Sequence, residues 1–490
     1  MMQHDKFFYG GDWHDPAGTA TIGVVSASTE EVIGSVPDAT DADIDAAVAA
    51  ARQAFDDPQG WSHWAPDRRA DAMERLAAVL ETHAEDFAQL VSSQNGMPIR
   101  LSRSAEGSVG PHMLRFYADM IREHGAEEFR GRSLVRTGPI GVVAAITPWN
   151  FPLGTTFLKL APLLAAGCTA VLKPSPETVL DAFLLAQCVA DAGLPSGVIN
   201  ILPGGRDIGA YLVGHPEIDK VSFTGSTAGG RSVGQRCAEL IRPVTLELGG
   251  KSAAIVLDDA DLISAREDFL YSTMCNSGQT CWISTRILVP RSRLAEFTDT
   301  ITDLVASQPI GNALDEATEI GPMTSSAHRD RVEGYIRAGL AEGARLTVGG
   351  GRPKGEDRGW FVEPTIFADV ENTSVIAREE IFGPVLCVIA YENVDNAIAM
   401  ANDSRYGLGG TVWTADHARG VDVARRLHTG TVGINSFQAD LAAPFGGVKG
   451  SGLGRELGVE GLSNYQALQS IYPHPGQPWP PVHVGAVQIG

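Results

Sequence analysis

Apolar residues recur at two different spacings along the 490-residue chain, and the change of spacing divides it. Residues 1–35 carry short apolar alternations broken by Gly and Pro, which predict a small edge sheet. From Asp41 the spacing turns helical. Ile44, Val48, Ala51 and Phe55 fall on one face, and Thr40 or Asp41 can cap the start. Two more amphipathic helices are predicted over 67–81 and 85–95. A helical layer with one apolar face needs a sheet to cover.

That sheet is predicted to begin after Gly141. Val142–Thr147, Thr169–Lys173, Val198–Leu202 and Lys220–Thr224 are apolar runs of strand length, separated by helical patterns at Thr155–Ala166, Thr178–Ala192, Ile208–Val213 and Thr227–Leu240. Continuous apolar strands alternating with helices mean a parallel sheet covered on both faces, an open doubly wound α/β domain. Ligands bind such sheets at the carboxyl ends of the strands. A second alternating block follows Gly249. Its strands are Ala253–Leu257, Arg286–Val289, Val385–Tyr391, Gly410–Trp413 and Thr431–Asn435, with helices near 293–306, 325–342, 394–403 and 416–428. Residues 343–375, rich in glycine and charge, are expected to form surface loops and a hairpin. The two α/β blocks meet near Glu247. Five prolines between Tyr472 and Pro481 exclude a helix, so the tail should lie along a surface or another subunit.

Length alone calls for two or three domains of roughly 100–200 residues. With 38 basic and 59 acidic residues the formal net charge is −21, which opposes nucleic acid and anionic membranes as main partners. The six cysteines are scattered without a dense framework, the N-terminus lacks signal-peptide order, and the longest apolar run, Leu160 to Leu172, is short of the roughly 20 residues a spanning helix needs. A cytoplasmic protein with no membrane segment is expected.

Candidate chemistry gathers at a few strand ends. Met274–Cys281 sets two thiols among small and polar residues. Their spacing is not that of a zinc knuckle and no Cys/His cluster follows, so no metal is expected. Cys281 is either a nucleophile or one more buried cysteine. Gly450-Ser451-Gly452-Leu453-Gly454 is not placed in a βαβ unit, and Gly249-Gly250-Lys251-Ser252 lacks the opening glycine of a phosphate loop, so both are set aside. Phe223-Thr224-Gly225-Ser226-Thr227 is the better phosphate site, because a strand turns directly into a helix; Ser226 can equally be a plain N-cap. Lys173 ends an apolar strand and can meet a ribose or phosphate, or water. Glu247 among apolar neighbours is either a base with a raised pKa or a salt-bridged core residue. Asn150, in Pro148-Trp149-Asn150-Phe151-Pro152, is an oxyanion donor or a turn residue.

Taken in order, Pro148–Pro152, Lys173-Pro174-Ser175, Phe223–Ser226, Glu247–Lys251, Gly278-Gln279-Thr280-Cys281, Glu380-Ile381-Phe382-Gly383-Pro384 and Pro444-Phe445-Gly446-Gly447 closely resemble the NAD(P)-dependent aldehyde dehydrogenase superfamily from about residue 20 to 470. The resemblance implies an α/β fold with a Rossmann-type cofactor domain (1–118 and 139–246), a second α/β catalytic domain (247–445) and a small oligomerisation sheet from 119–138 and 466–490. It implies that Cys281 attacks an aldehyde to form a thiohemiacetal and then a thioester, that Asn150 and the Cys281 N–H hold the oxyanion, and that Glu247 activates water for hydrolysis. Lys159 with Glu456 matches a proton relay. Lys173 falls at the adenosine ribose, Gly205, Gly225 and Ser226 around the pyrophosphate, Glu380 and Phe382 at the nicotinamide ribose, and Ile146, Thr147 and Trp149 along the same cleft.

Many NAD-preferring relatives place Glu three residues after the ribose lysine. Here that position is Pro176, with Glu177 next, so NAD is expected with NADP possible. The resemblance also implies a homodimer or homotetramer, and Phe151, Leu158, Trp282, Phe437 and Phe445 as walls of a tunnel suited to apolar aldehydes. A CoA-acylating enzyme is disfavoured because Glu247 is present. A catalytically silent member of the fold is disfavoured because nucleophile and base are both kept, and a cofactor-free cysteine hydrolase because no His lies near Cys281 in sequence.

Overall fold

The computed structural model describes residues 1–123, 127–474 and 479. Two large sheets organise them. The first has eight strands in the order Gly452–Leu453, Val244–Glu247, Lys220–Thr224, Val142–Ile146, Thr169–Lys173, Ile199–Ile201, Phe7–Tyr9, Asp12–His14. Its five central strands are parallel, as their uninterrupted apolar runs require; the flanking Gly452–Leu453 and Phe7–Tyr9 strands run antiparallel. Helices Asp41–Asp56, Pro66–Thr82, Pro152–Ala166 and Leu180–Asp191 supply apolar residues to its two faces.

The second sheet has seven strands in the order Arg345–Val348, Thr365–Ala368, Val385–Tyr391, Ser284–Pro290, Ser252–Val256, Gly410–Trp413, Gly433–Ile434. The expected hairpin within 343–375 is present, but its second strand pairs in parallel with Val385–Tyr391 and so extends this sheet. The strand expected over Thr431–Asn435 shortens to two residues. The small N-terminal sheet joins Met2–Gln3, Val32–Pro37 and Thr21–Val25, while the two strands between them go to the large sheet.

Two helices of eight or more residues went unread in the sequence, Arg266–Met274 and the longer Val109–Glu123. Val109–Glu123 buries Met113, Leu114, Tyr117, Ala118 and Ile121 against the Pro66–Thr82 and Pro152–Ala166 helices. Gly107, Ser108, Gly110 and Pro111 look like a turn, yet proline is tolerated in a first helical turn, where no amide partner is needed. The same helix corrects the segment expected over 119–138. Residues 119–123 are its last turn, and the three-stranded antiparallel sheet begins at Glu127, in the order Gln466–Ile471, Ser133–Pro139, Glu127–Arg130. Of the proline-rich tail only 472–474 and Trp479 are described; the Trp479 indole N–H donates to the Arg132 carbonyl at 3.1 Å, and the rest of the expected surface-lying tail is outside the described residues. Among the described residues no helix is long and apolar enough to cross a membrane, and no group of three or more His, Cys, Asp or Glu side chains could hold a metal ion.

Candidate active site

Strand register brings five of the singled-out positions together at one end of the first sheet. Ile146 pairs with Lys173 on one side and Phe223 on the other, and Thr224 pairs with Glu247. These are the carboxyl ends of adjacent parallel strands, where side chains and loops leave the sheet together. The backbone continues these pairings: Thr147 N–H donates to the Lys173 carbonyl at 3.2 Å, and Gly225 N–H to the Glu247 carbonyl at 3.0 Å.

The second sheet contributes the thiol. Before Cys281 the chain turns through three successive left-handed residues, Asn276 (φ 53°), Ser277 (φ 55°) and Gly278 (φ 81°). Each non-glycine residue there costs about 1–2 kcal/mol, so surrounding bonds must hold the turn. They do. Asn276 Nδ2 donates to the Asn150 carbonyl at 3.0 Å, Ser277 Oγ accepts from Gly321 N–H at 2.9 Å, and Gln279 Oε1 accepts from Thr324 N–H at 3.0 Å. Asn150 Nδ2 donates to the Gln279 carbonyl at 2.9 Å, which places that amide two residues from the thiol and leaves its second N–H available. Of the two sulfurs, Cys275 is 6% exposed, with its pKa pushed up to about 12 by burial. Cys281 is deeply set but keeps part of its surface open, and burial first, then the Glu247 and Glu380 carboxylates, hold its thiol well above the usual range.

Glu247 is 3% exposed and, among the described residues, neither carboxylate oxygen has a hydrogen-bond partner. Desolvation raises its pKa well above the carboxylate range. Glu456 raises it further, while Lys159 and Arg455 act in the opposite sense. Lys159, fully buried in the Pro152–Ala166 helix, donates to Glu456 Oε1 at 2.6 Å and to Thr224 Oγ1 at 2.7 Å. A buried ion pair this close is held by geometry rather than chosen for stability. Gly452 and Leu453, from a glycine-rich stretch set aside as a phosphate loop, instead form an antiparallel strand against Leu246 and Glu247.

The remaining positions lie at or beside these strand ends and the Gly249-Gly250 turn. Lys173 Nζ donates to the Pro174 and Gly204 carbonyls at 2.9 and 2.7 Å, beside Gly205, which opens the Arg206–Gly214 helix. Burial lowers the Lys173 pKa to about 8. Ser226 is the N-cap of the Thr227–Glu239 helix, its Oγ accepting from Gly229 N–H at 3.1 Å, so the helix start it caps lies at the strand ends. Glu380 Oε1 accepts from Gly250 N–H at 2.9 Å. The Phe382 ring packs edge-on against Trp149 at 5.4 Å, and the Phe382 carbonyl bonds to the His328 ring at 2.6 Å. A strand-end lysine, an open helix N-terminus and a carboxylate suit a dinucleotide: the helix start is ready-made for pyrophosphate and the carboxylate for ribose hydroxyls. Pro176 is half-buried and Glu177 exposed, its carboxylate taken by the Ser175 hydroxyl at 2.5 Å.

Among the expected tunnel residues, Trp282 and Phe437 stack at 4.4 Å with 6° between planes. Tyr271, which the sequence did not single out, joins them at 5.4 Å from Trp282. Phe151, Leu158 and Phe445 are half-buried against the first sheet's core. Asn95 was also missed. It is 1% exposed and its Nδ2 donates to the Trp149 and Asn150 carbonyls at 3.0 and 3.3 Å. Its position at the end of a helical pattern gave no signal, because the partner lies 55 residues away.

The aldehyde dehydrogenase family model matches residues 13–471. A geranial dehydrogenase of Castellaniella defragrans is 52% identical over 476 residues, 96% of this chain and 99% of that protein. The crystal structure of a Mycobacterium tuberculosis aldehyde dehydrogenase complexed with NAD+ superposes with a TM-score of 0.95 at 45% identity, covering 98% of this chain and 100% of that one. A mutant aldehyde dehydrogenase C from Pseudomonas syringae, complexed with NAD+ and octanal, gives a TM-score of 0.93 at 41% identity over 95% of this chain and 96% of that one. A family match across nearly the whole length, together with a fold shared at this closeness, is decisive: the chain belongs to the aldehyde dehydrogenase family and is an aldehyde-oxidising enzyme.

Proposed function

We propose that the chain oxidises an apolar aldehyde to its carboxylic acid with NAD+, using Cys281 as nucleophile, Asn150 as oxyanion donor and Glu247 as general base. The observation that carries this reading is the meeting of an accessible thiol, an amide with a free N–H and a buried carboxylate with both oxygens unbonded among the described residues. The Cys281 sulfur bonds to the carbonyl carbon as its proton leaves. Burial raises that thiol's pKa, so its proton passes to water as the S–C bond forms, and Glu247 is kept for the hydrolytic step. Negative charge gathers on the former carbonyl oxygen, where the second Asn150 N–H and the Cys281 backbone N–H meet it. NAD+, when bound, supplies the acceptor for the hydride that leaves the thiohemiacetal carbon. Glu247 then takes a proton from water as its oxygen attacks the thioester, the C–S bond breaks, and Cys281 is regenerated. Lys159 and Glu456 carry the proton onward from Glu247.

Lys173, Gly205, Gly225 and Ser226 hold the adenosine and pyrophosphate end, and Glu380, Phe382 and the Ile146–Trp149 segment the nicotinamide ribose end. NADP is also accepted, since no carboxylate stands at Pro176 to repel a 2′-phosphate. Residues 1–118 and 139–246 form the cofactor domain and 247–445 the catalytic domain. The apolar lining from Phe151, Leu158, Trp282, Phe437 and Phe445 favours substrates such as geranial or octanal, the compounds named for two relatives. The sheet Gln466–Ile471, Ser133–Pro139, Glu127–Arg130 exposes Leu468 and Phe129, a surface that a cytoplasmic homodimer or homotetramer covers. Cys281→Ala tests the whole reading. It should abolish NADH formation from octanal or geranial while leaving NAD+ binding intact, and retained turnover would sink it.

A further inference from the structure

The helix that begins beside Asn150 is capped in an unusual way. It starts at Pro152, which has no N–H, so the donors its first turn leaves unpaired are the amides of Leu153 and Gly154. The N-cap residue is Phe151, which has no side-chain acceptor to offer them. Both amides are taken instead by one distant side chain. Glu106 Oε2 accepts from Leu153 N–H at 2.7 Å, and the two Glu106 oxygens accept from Gly154 N–H at 3.3 and 3.4 Å.

Glu106 is 2% exposed, and among the described residues it has no ion-pair partner. Burial first, and the buried Asp181 carboxyl after it, hold the Glu106 pKa well above the carboxylate range, while the Leu153 and Gly154 amides act in the opposite sense. Glu106 projects from the π-helical turn Arg103–Gly107, inserted between helices Ile99–Ser102 and Val109–Glu123. Single π turns within helices are concentrated at functional sites. Burying a carboxylate without a cation is a costly way to cap a helix that Ser or Asp at position 151 could cap locally. What the long-range cap adds is a fixed link between the outer helical layer and the Asn150 loop. Asn95 grips the same loop through the Trp149 and Asn150 carbonyls.

We propose that Glu106 is a positioning residue: by anchoring the start of the Pro152–Ala166 helix it sets where the Asn150 amide meets the developing oxyanion. This rests on the reading of Asn150 as an oxyanion donor. An amide must sit within tenths of an ångström of its target to act, and a displacement near 1 Å costs about 100-fold.

The test is single-turnover NADH formation with NAD+ and octanal, expressed per titrated active-site thiol, in Glu106→Gln, Asn150→Ala and the double variant. Glu106→Gln should slow the hydride step about tenfold while NAD+ affinity stays at the wild-type value. Added to Asn150→Ala, it should slow the reaction no further, because the group it positions is gone. A lost amplitude with an unchanged rate constant, or the same slowing in both backgrounds, would overturn the proposal. Asn150→Ala turning over at the wild-type rate would instead remove the reading beneath it. Should Glu106→Gln fail to fold, Glu106→Asp, which keeps the carboxyl group but withdraws it by one methylene, is expected to give the same non-additive slowing.

Discussion

Glu247 is buried and Glu380 half-buried; both carboxylates are within electrostatic reach of Cys281, and desolvation is the first cause of a raised pKa in each. Their partners differ. Glu380 is tethered: one oxygen accepts the Gly250 N–H, and Arg331, Lys251 and Arg405 pull its pKa back down. Among the described residues Glu247 has no hydrogen bond on either oxygen, and a further carboxylate, Glu456, pushes it up. A group that holds a ligand needs a fixed direction and a stable charge, whereas a base needs an empty lone pair and a pKa near the working pH. Each carboxylate has a glycine packed against it. A Cβ on Gly249 would lie 2.2 Å from Glu380 Oε2, and one on Gly446 2.5 Å from Glu247 Oε1.

The sharpest way to break the comparison is to neutralise each carboxylate. Glu247→Gln should lower steady-state turnover about 100- to 10,000-fold, while stopped-flow still records a first burst of NADH. Glu380→Gln should act on the cofactor instead, raising the KM for NAD+ about tenfold through loss of one charge-assisted hydrogen bond. The paired glycine variants come next. Gly446→Ala and Gly249→Ala should each lose about 1–3 kcal/mol of stability from overpacking, measured by denaturant unfolding, with slowed deacylation confined to the first and weakened NAD+ binding to the second. The smallest effects are those of pH. The Glu247 pKa is raised, so its basic form is lost as pH falls through that value and turnover at saturating NAD+ should climb with pH above the ordinary carboxylate range. Lys173 is lowered to about 8, so its ammonium is lost above that pH and the KM for NAD+ should rise there. A turnover that falls as pH rises through neutrality would reverse the role given to Glu247.

The parallel sheets were legible because a strand buried on both faces leaves an unbroken apolar run, as Val142–Ile146 and Thr169–Lys173 do. The candidate site was legible where chemistry and chain position coincide: Lys173 and Glu247 end strands, and Asn150 follows one. What stayed hidden depends on contacts far apart in sequence. Asn95 reaches 55 residues to Asn150, and Glu106 reaches 47 residues to Leu153, from helices whose own periodicity gives no hint of the partner. The Val109–Glu123 helix stayed hidden behind turn-forming residues at its start, and the strand against Glu247 behind a glycine pattern that resembles a phosphate loop. Ser226 was left open between cap and ligand donor; its Oγ accepts the Gly229 N–H, and that use is compatible with an open helix start.

The central claim is a covalent acyl group on Cys281 that only Glu247 releases. Intact-mass and peptide mass spectrometry of the Glu247→Gln protein, quenched after incubation with NAD+ and octanal, measures it directly. The account predicts one adduct per chain, heavier by the mass of octanal less two hydrogens, on the peptide containing Cys281. An unmodified chain after a full burst of NADH, or an adduct on Cys275, would contradict it.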